Sequence, residues 1–206
     1  MKTSNLFLLA LVTLISLSAS MTACQSRTSI PVVTMPPVEV TPTRLAWPQA
    51  EWTEVLMQAI ATERLTELSP LDASDFSLDP ANAEHWAKLL VEMAKWESGW
   101  KPTKIYTEAF HDAQGRRVVS TGLFQISVES MRGIGCRVTQ AELLTPERNI
   151  QCAVKAFAHY VRKDSRIAGL GPGQWRGGAR YWAVLRGAND YTRKALASIR
   201  LAAARG

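Results

Sequence analysis

Positions 82–97 read "NAEHWAKLLVEMAKWE", and the apolar residues recur at helical spacing: Trp86, Leu90 and Met93 lie four and three apart, and four more reach Glu97. At about 100° per residue these positions fall within roughly 40–60° of one another, with Lys88, Glu92 and Lys95 on the opposite side. The pattern predicts a helix opened by Asn82 and stopped by Gly99 and Pro102. It also puts one carboxylate on the apolar face. Desolvation disfavours a charged carboxylate, so Glu97 reads either as an acid kept protonated near neutral pH or as a buried partner of an arginine.

Similar periodicity predicts helices in "PQAEWTEVLMQAIATERLTEL", "VESMRGIG", "TPERNIQCAVKAFAHYVRKD" with Thr145 as cap, "GPGQWRGGARYWAVLRG" and "NDYTRKALASIRLAAAR". A Ser, Asp and Pro-rich loop, "SPLDASDFSLDPA", separates the first of these from the Glu97 helix. Pro102 to Thr121 is polar and irregular, with a turn at "DAQG" and a short β-like "RRVVS" that suits a small hairpin. The fold class is therefore α+β, predominantly α-helical, with at most a small β-hairpin. In "STGLFQIS", Gln125 sits between apolar residues, where its amide either satisfies local backbone or faces a ligand.

The 206 residues, 47% hydrophobic and 20% charged, suit one domain with extensions. The net charge of +6 is unevenly spread: Thr43 to Glu84 has two Arg against eight acids, whereas His85 to Gly206 has twenty Lys and Arg against nine acids. So basic a segment fits a polyanionic partner or a solvated surface. With no nucleic-acid motif in the chain, nucleic acid is not the expected partner.

Export is the next expectation. Lys2 precedes an apolar run from Leu6 to Leu17, too short for a comfortable membrane span, so residues 1–23 read as a signal peptide. "MTAC" then resembles a lipoprotein-processing box, with Cys24 as the lipidated residue and membrane anchor, and 24–46 reads as a Pro and Thr-rich tether. By the sorting pattern of such lipoproteins, Gln25 implies the outer membrane, facing the periplasm. Residues 47–206 remain for the folded domain. In an oxidising compartment Cys136 and Cys152, sixteen apart, read as a disulfide or as two buried thiols. No HExxH or CxxC spacing is present, so neither metal nor cofactor is expected.

Taken together, "ESGW" at a helix end, "GLFQIS", a long helix with "NIQCAV", and "YW" near the C-terminal helices resemble the catalytic domain of the soluble lytic transglycosylase (SLT) family. The resemblance covers residues 85–187 and implies a lysozyme-like, goose-type fold that cleaves peptidoglycan glycan strands. It implies Glu97 as the single acid and base, Ser98 as its support, and Gly122, Leu123, Phe124 and Gln125 as the substrate-side turn, with Gln125 contacting substrate. Tyr181 is the candidate for the tyrosine that hydrogen-bonds the acid; Trp182 follows it where the family has Asn. Gly122 follows Glu97 by twenty-five residues, a longer interval than the family commonly has, which leaves room to reshape the sugar cleft.

The chemistry so implied is lytic cleavage of the β-1,4 bond between N-acetylmuramic acid and N-acetylglucosamine, leaving 1,6-anhydro-muramic acid ends. Trp96, Trp100 and Phe124 read as sugar-stacking faces or as core. Two alternatives stand beside it. One is a lysozyme-type muramidase in which Glu108 or Asp112 activates water. The other is a non-catalytic lipoprotein that binds glycan or a secretion or cell-wall machinery.

Overall fold

The computed structural model describes residues 45, 47–169 and 173–205. The expected signal peptide and Cys24 lie outside the described residues, as does the expected tether up to residue 44. Leu45 and Trp47 are already buried in the core, with Trp47 edge-on to Trp52 at 5.7 Å.

Six α-helices and one hairpin build the described part: α1 (Glu51–Thr62), α2 (Ala83–Ser98), β1 (Ile105–His111), β2 (Arg117–Thr121), α3 (Val128–Gly133), α4 (Gln140–Leu143), α5 (Pro146–Asp164) and α6 (Asp190–Arg200). The α+β, predominantly helical class follows. The longest helix, α5, opens with a proline at its first turn, where the missing N–H costs nothing. Its buried face, including Ile150, Ala153, Val154, Phe157 and Val161, packs against α1, and Phe157 stands between Trp86 of α2 at 6.2 Å and Trp182 at 6.1 Å. Truncating such an aromatic to alanine costs about 3–5 kcal/mol.

Asn82 caps α2 as the pattern requires, its side chain accepting the N–H of Glu84. At the other end Gly99 takes φ +67°, the left-handed conformation that closes a helix cheaply only with glycine. The hairpin is also present, with Ile105 paired to Thr121 and Thr107 to Val119, and its turn closed by the Gly115 N–H on the Asp112 carbonyl. It is longer than the polarity of 102–121 suggests, and its register shifts between Thr107 and His111. The disulfide reading of the cysteine pair holds: Cys136 and Cys152 are bonded, pinning the segment after α3 to α5.

Glu92, opposite the apolar stripe of α2, is nonetheless in the core at 5% exposure, because α6 returns across α2 and covers it. Its carboxylate accepts from Ser198 Oγ at 2.6 Å and Trp96 Nε1 at 3.1 Å, with Lys95 and Arg205 nearby. The helix expected in "GPGQWRGGARYWAVLRG" is two separate 3₁₀ turns, Gly178–Arg180 and Ala183–Leu185. Trp182 between them is extended, and its indole N–H reaches the Phe124 carbonyl at 2.9 Å, a long-range bond that a continuous helix would not allow. Among the described residues no helix is long and apolar enough to cross a membrane.

Candidate active site

The last turn of α2, the cleft face of β1, the turn after β2 and the 3₁₀ segments around Tyr181 enclose a cleft of about 670 Å³. The stripe of Trp86, Leu90 and Met93 is fully buried, and one turn later the same face runs out of the core into this space. Glu97 therefore presents a carboxyl to the cleft from an otherwise apolar helix face. Burial pushes its pKa up to about 8, with the like charge of Glu108 adding to the rise and Lys104 and Arg186 opposing it. The C-terminal end of a helix is also the unfavourable end for an anion.

Tyr181 and Gln125 share the cleft with Glu97. The Tyr181 hydroxyl accepts the Ser127 N–H at 2.9 Å and also lies within hydrogen-bonding reach of the Ser127 and Ser130 side chains. Burial raises its pKa to about 12, so it stays a neutral phenol. Gln125 has φ +46° and donates from Nε2 to the carbonyls of Gly122 at 2.8 Å and Lys104 at 3.1 Å. The backbone reading of this amide is the one its bonds show, with Nε2 spent on two carbonyls, while the residue also lines the cleft.

The other residues of the two motifs stand behind the cleft. Ser98 is buried, donating to the Ala94 carbonyl and accepting the Lys101 N–H, and so finishes the helix end that carries Glu97. Gly122 has φ +79°, while Leu123 and Phe124 are fully buried. Phe124 thus belongs to the core. So does much of Trp100, whose indole donates to the Val91 carbonyl. Trp96 does line the cleft, edge-on to Tyr191 at 5.3 Å, and the Tyr191 hydroxyl donates to its carbonyl.

Alternation along β1 turns Tyr106, Glu108 and Phe110 toward the cleft, and Lys104, just before the strand, lines it as well. Glu108 accepts from Ser120 Oγ at 2.6 Å. Asp112 does not line the cleft; it is held at the hairpin turn by the N–H groups of Gln114 and Arg116 and by the Arg116 guanidinium. Two residues given no role by the motifs are Asn149 and Arg186. Asn149 is completely buried and bonded to the Gly122 turn, and its signal was present as a polar residue on the apolar face of α5. Arg186 had no such signal.

Residues 79–169, which include Glu97 and the Gly122 turn and stop before Tyr181, match the model of the transglycosylase SLT domain. Wild-type DslA, a solved structure, is 36% identical over 73% of this chain and 88% of its own, with a TM-score of 0.67. The chain belongs to the transglycosylase SLT domain family. Two Glu-to-Gln variants of DslA, altered at positions eleven residues apart, are similar to this SLT domain at 36% and 34% identity with the same TM-score. No curated protein sequence matches it. As a member of the family, this SLT domain has peptidoglycan glycan as its expected substrate class.

Proposed function

We propose that this protein is a peptidoglycan lytic transglycosylase in which Glu97 acts first as acid and then as base. The observation that carries the reading is Glu97 itself, a carboxyl delivered to the cleft by a buried helix face beside Tyr181 and Gln125. Its protonated form donates to the glycosidic oxygen as the bond to muramic acid C1 breaks, and the N-acetylglucosamine side leaves with a free hydroxyl. The substrate's own N-acetyl carbonyl oxygen holds C1 meanwhile. The muramic acid C6 oxygen then attacks C1, its proton passes to ionised Glu97, and a 1,6-anhydro ring closes without water. Tyr181, a neutral donor, steadies Glu97 in its ionised interval.

One observation favours a second reading. Glu108 lines the same cleft and is close enough to raise the pKa of Glu97, which suits a hydrolase with two carboxylates. In this chain Glu97 and Glu108 are eleven residues apart, the same interval as the two positions altered in the DslA variants. Asp112, tied to Arg116, drops out of that reading.

Mass spectrometry of muropeptides released from purified sacculi, in water enriched in heavy oxygen, separates the two. Products lighter by one water and free of the label, absent with Glu97→Gln, support the lytic reaction. Labelled reducing ends overturn it in favour of hydrolysis. We further propose that Cys24 carries lipid and holds the enzyme at the outer membrane; loss of radiolabelled palmitate on Cys24→Ala is the expected result.

A further inference from the structure

Three cations line the cleft, and their bonding separates them. Arg180 is neutralised by Asp164, its Nε and Nη2 lying 2.5 and 2.8 Å from the two carboxylate oxygens. Lys104 donates through Nζ to the Glu97 carbonyl at 2.5 Å. Arg186 has no carboxylate within ion-pair distance among the described residues. It is instead fixed by backbone: Nε donates to the Ala179 carbonyl at 2.8 Å, and Nη2 to the carbonyls of Arg180 at 3.0 Å and Tyr181 at 3.3 Å. Its guanidinium also lies 5.6 Å from the centre of the Trp175 ring.

A guanidinium has five N–H donors, and these bonds use those of Nε and Nη2. Nη1 has no partner among the described residues. The side chain is half-buried, and a charge so placed is costly unless an anion meets it. Of the two carboxyls that line the cleft, Glu97 is the one whose charge acts on Arg186, and it is the acid that must be neutral at the start of the reaction. Arg186 is therefore a clamped, half-buried cation that shares the cleft with Glu97 and has no carboxylate within ion-pair distance among the described residues.

The hydroxyl and acetamido groups of the glycan are neutral. The anions of peptidoglycan ride on the lactyl arm of muramic acid, either as its own carboxylate or as those of an attached peptide stem. Resting on the glycan-cleaving reading above, we infer that Arg186 is a specificity residue that receives a carboxylate carried by the lactyl arm, through the Nη1 edge left open by its backbone clamp. Arginine in a fixed orientation suits a planar carboxylate better than lysine would.

The test compares wild type, Arg186→Gln and Arg186→Lys on three glycans: stem-bearing chains, chains stripped of stems by an amidase, and stripped chains whose lactyl carboxylates have been converted to methylamides. If the lactyl carboxylate itself is the ligand, wild type prefers stripped acid over stripped amide by about tenfold in kcat/KM, mostly through KM, and Arg186→Gln loses that preference. If a stem carboxylate is the ligand, the tenfold preference is for stem-bearing chains and is lost in the same way. Arg186→Lys retains part of either preference. A variant that falls equally on all three glycans, or keeps the wild-type preference, overturns the inference and leaves Arg186 as a clamp for the Tyr181 backbone.

Calorimetric binding of the same glycans to Glu97→Gln, with and without Arg186→Gln, reads the preference without turnover. Wild type that cleaves none of the glycans would sink the proposed reaction, whereas binding that ignores the carboxylate would sink this inference alone.

Discussion

A methyl group built on Gly122 would sit 2.1 Å from Nδ2 of Asn149 and 2.4 Å from the Leu143 carbonyl oxygen, so the Gln125 turn and α5 meet with no room for a side chain. Asn149 uses that closeness. It accepts the Phe124 N–H at 2.9 Å and donates to the carbonyls of Thr121 at 2.9 Å and Leu143 at 2.8 Å. Gly122→Ala is expected to fail to fold at 37 °C or to lose most of its stability, since its φ of +79° also penalises any Cβ. Asn149→Ala takes the partner from the buried Phe124 N–H and the Leu143 carbonyl, while the Thr121 carbonyl keeps the Ile126 N–H, and should cost about 2–4 kcal/mol in urea denaturation. A loss under about 0.5 kcal/mol would mean that the turn holds its own shape.

The raised pKa of Glu97 predicts a decline with rising pH in two measurements, over different windows. Activity needs the protonated acid, so kcat/KM should fall as pH rises through about 8. Stability should also decline over part of this range: the unfolded carboxyl ionises near its ordinary 4.5 while the folded one keeps its proton to about 8, so between these values the native state binds more protons. Wild type therefore loses stability relative to Glu97→Gln as pH climbs across that window, and the difference levels off above it. Removing the like charge with Glu108→Gln should move the activity limb to lower pH while leaving turnover intact. Abolished turnover in that variant would point instead to the two-carboxylate reaction.

The cross-link between Cys136 and Cys152, with Cα atoms 5.7 Å apart, closes a loop spanning sixteen positions. The chain-entropy estimate for such a loop is about 3 kcal/mol. Reductant should lower the Tm of the wild type by several degrees and leave the Cys136→Ser, Cys152→Ser double variant unmoved. Equal sensitivity in both would show that the reductant acts elsewhere.

Glu97 was legible because two independent signals met on it, a helical stripe and a short motif at the helix end. The hairpin announced itself through its turn and its β-branched strand. What the sequence withheld were relations made by distant segments. Glu92 shares a helix face with lysines, and only the return of α6 with Ser198 buries it. There, although burial alone would raise its pKa, Ser198, Lys95 and Arg205 together hold it below the ordinary carboxylate value. Arg186 sits in a stretch that looks helical, and the break at Trp182 that turns it into the cleft depends on a bond to Phe124, fifty-eight positions away. No local periodicity encodes such a bond.

The hairpin is fastened at both ends. Near its tip Arg116 bridges Asp112 to Glu129 of α3, and at its base the Ile105–Thr121 pair runs directly into Gly122. In mechanical terms it is a beam hooked at the far end and clamped at the catalytic turn. A sugar ring pressing on the exposed faces of Tyr106 or Phe110 loads that beam, and the load arrives at the Gly122 turn that carries Gln125. Lys104, at the foot of the beam, ties the two together: its carbonyl takes the Gly122 N–H and the Gln125 amide, and its ammonium reaches the Glu97 carbonyl.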